Sequence, residues 1–323
     1  MKKLFSLLTA TALIFCGTIV AYATETKKIS VVTTIFPIYD WVREIAGDEI
    51  TLTLLLDNGV DLHSYQPTVD DMVKISKCDV FIYVGGESDE WVADALKNSV
   101  NKKQTAVNLL ELLGDSVKHE EIVEGMEHEH EHHDEDHDDD HEHEAELDEH
   151  VWLSLRNAMK LCEKISEILS DAMPEKQDIF SLRTQLYLEK LARLDEEYKS
   201  AVDKSKRKVF LFGDRFPFRY LADDYGLKYF AAFSGCSAET EASFETVIFL
   251  AKKTDELNLP YVMTIENPHH TIAETVIANT SGKKQNVLQL DSMQSVTAKD
   301  IKDGAKYLST MQKNLEILKT ALN

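Results

Sequence analysis

The chain is poor in the residues that most often announce an enzyme. It has 12 glycines, 6 prolines and 4 cysteines in 323 residues. No Gly-x-Ser-x-Gly elbow, phosphate-cradling glycine loop or His-Glu-x-x-His pair occurs, so acyl transfer at a nucleophile elbow, nucleotide binding and thermolysin-type hydrolysis lack their usual scaffolds. Lys and Arg number 35 against 57 Asp and Glu, and no basic stripe runs along the chain. Nucleic-acid binding is therefore not expected. Beyond the N-terminus no stretch is apolar enough to span a bilayer.

What the chain does have is concentrated. The run from Glu127 to Glu149 holds seven histidines (His128, His130, His132, His133, His137, His141 and His143), fourteen acids and no Lys or Arg. Without those acids the formal charge of −22 would fall to −8, so the acidity is largely local. Imidazole suits zinc, copper, nickel and iron, and carboxylate adds a harder donor. A tract with so few apolar residues cannot bury itself, which points to a solvated loop of weak metal sites.

The first residues carry an address. Lys2 and Lys3 precede an apolar stretch from Leu4 to Val20, and Ala21-Tyr22-Ala23 is a small-residue cleavage pattern. Residues 1–23 therefore form a secretory signal, and the mature chain is expected outside the cytoplasmic membrane, in the periplasm or at the cell surface. Lipid attachment at Cys16 is the competing reading, and Phe15 stands where a small residue is expected. Cys78, Cys162 and Cys236 match no zinc spacing and read as small core residues or free thiols.

The remaining pattern alternates strands and helices. Lys28 to Thr34, Thr51 to Leu56 and Val80 to Val84 read as strands, with helices opening at Phe36-Pro37, near Pro67 and at Glu90. A second series follows from Lys208, with strands at Lys208 to Phe212, Tyr229 to Phe233, Tyr261 to Ile265 and Val287 to Leu290. A final helix is predicted from Asp300 to Ala321. Between the series, Pro174 to about Val202 is predicted as one helix about 40 Å long, with Phe180, Leu182, Leu186, Leu191, Leu194 and Tyr198 on its apolar stripe. The fold class is α/β: two lobes, each with a mainly parallel sheet flanked by helices, joined by one long rigid helix. The boundaries are an N-terminal lobe over 27–173 carrying the His/Asp/Glu-rich loop 119–149, a linking helix over 174–204 and a C-terminal lobe over 205–323. The segments VVTTIFPIYDWVREIAG and VFLFGDRFPFRYLADDYG echo each other, as expected if the lobes share an architecture.

Ligands in open α/β sheets lie beyond the carboxyl ends of strands. His63, Asp214 and Asp291 fall at such ends, and His150 closes the acidic run. These four are the candidate metal ligands. Each has a plainer reading: a loop histidine is often a surface or capping residue, and an Asp before a helix is often a cap. Glu266 is a lower-ranked candidate, and His269-His270 reads as a solvent-facing turn.

At this point the chain resembles the metal-binding proteins of ABC importers for zinc and manganese that are built around a long linking helix. The resemblance rests on VVTTIFPIYDWVREIAGD, GVDLHSYQPTVDDMVKISKCDVFIYVGGESDEWV, DEHVWLSLRNAM, YGLKY and VLQLDSM, and covers essentially all of the mature chain. It implies two α/β lobes with one ion between them, delivery to an ABC permease, a monomer and no catalysis. It implies that His63 and His150 are the N-lobe ligands and Asp291 a C-lobe ligand. A further His or Glu is expected just after the first strand of the C-lobe. Counting back from Tyr225-Gly226-Leu227, that position falls on Arg215, which cannot ligate, and leaves Asp214 as the nearest candidate. The His-rich insertion associates the chain with zinc, and manganese is the alternative ion. The competing functions are a metal-dependent hydrolase, which needs an open coordination position and a nearby base, and a metal-buffering surface adhesin.

Overall fold

Val31 and Val32 are buried strand residues followed by Phe36-Pro37, where proline occupies the first turn of a helix and forfeits no intrahelical hydrogen bond. That strand–helix start sets the whole N-terminal lobe. A computed structural model describes residues 28–126, 146–237, 241–266 and 269–323. The signal segment, Cys16 and the seven histidines of the acidic run lie outside the described residues.

In the N-terminal lobe, β1 (Ser30–Thr33), α1 (Phe36–Ala46), β2 (Thr51–Leu54), α2 (Val69–Lys77), β3 (Val80–Tyr83), α3 (Trp91–Lys97), β4 (Thr105–Asn108) and α4 (Leu109–Leu113) follow in order. The four strands are parallel, in the order β2-β1-β3-β4. After α5 (Leu155–Ala172) comes α6 (Gln177–Lys204), a helix of 28 residues that the 3₁₀ turn Pro174–Lys176 leads into. The C-terminal lobe holds β5 (Val209–Leu211), α7 (Arg219–Tyr225), β6 (Lys228–Phe230), α8 (Phe244–Glu256), β7 (Tyr261–Thr264), α9 (Thr271–Asn279), β8 (Asn286–Gln289), α10 (Ala298–Lys302) and α11 (Tyr307–Leu322).

The pairs β5-β6 and β7-β8 are parallel, and a parallel bridge between Phe212 and Met263 joins them. The C-lobe order is therefore β6-β5-β7-β8, the same pattern as β2-β1-β3-β4. The echo between the two strand–Phe-Pro–helix segments thus extends to the strand order of the lobes.

Helix α6 buries Phe180, Thr184, Tyr187, Leu191, Leu194, Tyr198 and Val202, a three–four spacing that keeps one stripe inward. Leu182 and Leu186, expected on that stripe, are instead 57% and 50% exposed, because the inward register falls on Thr184 and Tyr187. The stripe packs on α1 and α5 at one end and on α7 and α11 at the other. Near the C-lobe, Tyr198 donates to the Met311 carbonyl at 2.6 Å. The predicted final helix is split: α10 stops before Gly304, whose φ of 96° no ordinary L-residue adopts comfortably, and α11 begins at Tyr307.

One apolar core runs through both lobes and includes Trp41, Trp152, Phe212 and Tyr307. Trp41 meets Tyr307 edge-to-face at 5.2 Å. Polar ties that cross between the lobes include Arg43 to the Ala305 carbonyl at 2.7 Å, the Tyr307 amide to Asp40 at 2.7 Å, and the Tyr307 hydroxyl to the Trp152 carbonyl at 2.7 Å. Among the described residues no helix is long and apolar enough to cross a membrane.

Candidate metal centre

The strand order places the ends of β1 and β3 side by side where the chain changes direction across the sheet, so loops following these strands open a crevice. His63 lies in the loop after β2, in a 3₁₀ turn (Leu62–Ser64). Asp61 caps this turn by accepting from the His63 amide at 3.0 Å, and Leu62 anchors it in the core. The His63 ring is held by its Nδ1, 2.8 Å from the Ser88 hydroxyl in the loop after β3.

His150 is fully buried and continues into Val151, Trp152 and Leu153, all buried as well. This apolar run explains why a histidine at the end of an acidic stretch is drawn inside. Its Nδ1 lies 3.0 Å from Asp148 Oδ1, which also accepts the His150 amide at 2.9 Å. An ionised carboxylate only accepts, so Nδ1 carries the proton and Nε2 presents a lone pair. A carboxylate behind a histidine in this way orients the ring and raises its basicity towards a metal.

The two rings meet at their free ends, with Nε2 to Nε2 at 3.1 Å. Two nitrogens about 2.0–2.1 Å from one tetrahedral zinc would stand about 3.3 Å apart. The observed spacing is thus close to the one a shared ion imposes. Burial, with His150 close by, pushes the His63 pKa down to about 3. His63 is therefore a neutral donor over the physiological range. For His150, burial acts downwards, but the hydrogen bond and charge of Asp148 outweigh it and raise the pKa.

Glu149 supports the same corner. Its Oε1 accepts from the Ser88 amide at 2.9 Å, and its Oε2 is buried 3.7 Å from His63 Nδ1. A Cβ on Gly86 would stand 2.3 Å from Glu149 Oε1, and Gly86 has φ 81° and ψ −166°, so glycine is required there on both counts.

The two carboxylates expected from the C-lobe are placed differently. Asp214 follows β5, but its oxygens face backbone amides: Oδ1 accepts from Arg215 at 2.9 Å and Oδ2 from Ile265 at 3.4 Å. Asp291 follows β8 and accepts from the Met293 amide at 2.8 Å, closing its own loop. Burial, then the charge of Glu266, pushes the Asp291 pKa up to about 7. Among the described residues neither belongs to a group of three donors lying within 4.8 Å of one another. Asp291 instead lines an open cavity of about 430 Å³ between the lobes, with Phe36, Glu266 and Lys313.

Glu266 holds the Asp291 loop: it accepts from the amides of Ser292 and Gln294 at 2.6 and 2.9 Å, and from the Ser292 hydroxyl at 2.7 Å. Trp152 ties this loop to the histidine corner by donating to the Ser292 carbonyl at 2.8 Å. His269 is exposed, as expected, while His270 is half-buried with its Nδ1 3.3 Å from Thr264 Oγ1.

Arg215 pairs with Asp61 across the crevice. Burial acts to raise the Asp61 pKa, but the Arg215 charge and the hydrogen bonds from Arg215 and the His63 amide hold it below the usual range. This carboxylate offsets the Arg215 guanidinium, whose charge acts on both histidines.

The group that does form around the pair was not singled out from sequence. His63, His150 and Cys236 have ligand atoms within 4.8 Å of one another, and Glu120, Asp148 and His150 make a second such group. Asp148 faces the protonated Nδ1 of His150, so the second group is the hydrogen-bonded flank of that ring. Cys78 and Cys162 are buried free thiols, as their composition-based reading expects, and Cys236 is free and half-buried.

Comparison with known proteins identifies the family. Residues 31–321 match the family described as ZnuA, zinc-uptake complex component A, periplasmic. The zinc-binding lipoprotein AdcA of Streptococcus pneumoniae is 33% identical over 319 residues, 99% of this chain and 61% of the relative. The chain thus spans about six-tenths of that relative's length. The high-affinity zinc uptake system protein ZnuA of Bacillus subtilis is 30% identical over 295 residues, 91% of this chain and 88% of the relative. Among solved structures, the Zn(II)-bound ZnuA-like domain of S. pneumoniae AdcA superposes with a TM-score of 0.69 at 30% identity, covering 92% of this chain and 99% of that one. The periplasmic zinc-binding protein TroA of Treponema pallidum, at 23% identity and TM-score 0.73, shares the fold. These relatives are named for zinc binding and uptake rather than for catalysis. With the family matched from the first strand to the last helix, the chain belongs to the ZnuA family of periplasmic zinc-uptake components.

Proposed function

We propose that the protein is the extracytoplasmic solute-binding component of an ABC importer, which captures one zinc ion in the crevice between its lobes and delivers it to a membrane permease. The observation that carries this reading is the His63–His150 pair: two imidazoles, each fixed through Nδ1, with their Nε2 atoms 3.1 Å apart. Neutral imidazole is a preferred zinc donor, and a metal replaces the proton that would otherwise have to lie between these nitrogens. The cation is cargo, so the site has to release it as well as bind it.

In this reading the N-lobe histidines receive the ion first, and the C-lobe carboxylates Asp291 and Asp214 are the donors that the facing lobe offers as the crevice adjusts. The protein acts as a monomer, since one chain supplies both walls. The acidic histidine run ends at His150 and raises the local concentration of metal at the mouth.

Equilibrium dialysis with metal analysis tests the reading. One tightly held zinc per chain is expected, lost in His150→Ala. A chain that prefers manganese, that binds no metal tightly, or that keeps its tight zinc in His150→Ala would overturn it.

A further inference from the structure

Cys236 stands after the short strand β6, on the turn Ser234-Gly235-Cys236, and is remote from both histidines in sequence. Three features bring it to them. Phe233, buried in the C-lobe core, pairs in parallel with Arg215 and fixes the start of the turn. The Gly235 amide donates to Glu120 at 3.2 Å and fixes its middle. Gly235 also lets the backbone pass beside His150, since an added Cβ would lie 3.0 Å from both Cε1 and Nδ1 of that ring.

The Cys236 sulfur and the His63 and His150 nitrogens then lie within 4.8 Å of one another. A sulfur at about 2.3 Å and a nitrogen at about 2.05 Å from one tetrahedral ion are about 3.6 Å apart, so a small inward movement of the turn completes the triangle. The position after β5 that would otherwise supply a donor is Arg215, whose guanidinium is engaged by Asp61.

We propose that Cys236 supplies a thiolate to the ion held by His63 and His150, so that the site offers two imidazoles and one sulfur and discriminates against manganese. This rests on the histidine pair being the metal seat. As the metal–sulfur bond forms, the thiol proton is released to solvent and the sulfur lone pair is donated to the ion, with no change of oxidation state. Thiolate favours zinc, cobalt and cadmium, whereas manganese and magnesium prefer oxygen donors. The thiolate is therefore the selective element of the site.

Cobalt(II) alone is the probe, added to the full chain and followed by absorbance. One equivalent should produce a thiolate-to-cobalt charge-transfer band in the near ultraviolet. Cys236→Ser should lose the band while still binding one cobalt, with affinity reduced roughly 10–100-fold, at least the effect of removing a supporting group behind a ligand. Cys78→Ser should keep it. A wild-type chain that binds one cobalt in a His150-dependent way without the band, or a Cys236→Ser chain that retains it, overturns the thiolate and leaves the histidine seat standing. Absence of any tight His150-dependent cobalt overturns both.

Discussion

The two walls of the crevice are built on the same strand order but prepare their donors in opposite ways. On the N-lobe wall, each histidine has one nitrogen tied down, to Ser88 or Asp148, and the other free to bind. On the C-lobe wall, Asp291 accepts the Met293 amide of its own loop, and Asp214 accepts the neighbouring Arg215 amide and the Ile265 amide after β7. An imidazole has two separate nitrogens, so one can be held while the other binds. The carboxylates here serve as turn-closing acceptors and would have to exchange those bonds for a metal. The N-lobe is the prepared half, and the C-lobe is the half that must adjust.

The largest break of this comparison is His150→Ala against Asp291→Ala. Calorimetry or chelator competition should show zinc affinity falling by more than about 100-fold in His150→Ala, since losing a ligand exceeds the effect of losing its support, and by a smaller factor in Asp291→Ala. Equal losses would place the two walls on the same footing. Asp148→Ala, which leaves His150 in place but frees its ring, should weaken zinc by roughly 10–100-fold. Next comes Gly86→Ala, which forces a side chain into the φ/ψ region held by glycine and against Glu149. Thermal unfolding should report a destabilisation on the order of 1–3 kcal/mol, and an unchanged melting temperature would contradict the packing at that corner.

Asp89 sharpens the picture of the N-lobe wall without touching a ligand. Burial, opposed by the Gly85 and Val84 amides and reinforced by Glu149, pushes its pKa up to about 7 from 3.8. Because the folded state holds this proton more tightly than the unfolded state, the contribution of Asp89 to stability is greatest at low pH and is lost as pH rises from about 4 through about 7, by at most about 1.4 kcal/mol per pH unit. In Asp89→Asn that contribution to the slope, read from denaturant unfolding of metal-free protein, should vanish. The smallest expected effect is that of deleting Glu127 to Glu146: the tight zinc should keep its affinity while weak sites disappear from the isotherm.

Much of this was legible in the sequence because local patterns and fold agree. His63 sits in a loop between a strand and a capped helix, and His150 leads a buried apolar run, so the sequence pattern marks both. The long helix announced itself by length and by Phe180, Leu191, Leu194 and Tyr198. Its exact face did not, because Thr184 and Tyr187 take the inward positions that Leu182 and Leu186 seemed to claim. The short elements β4 and α4 were missed, since five residues of Leu-Leu-Glu-Leu-Leu carry no period to read. Cys236 was invisible for a different reason: it obeys no zinc spacing, and only the turn at Gly235 brings it beside the histidines. Gly235 followed by cysteine after a short strand was the one local signal available.

The central claim is that the N-lobe histidine pair is the seat of the metal. Crystals of the full chain grown with one equivalent of zinc and measured at the zinc absorption edge test it most directly. The account predicts a single strong anomalous peak bridging His63 Nε2 and His150 Nε2. A principal peak in the Asp291 cavity, with the histidine pair empty, would contradict it.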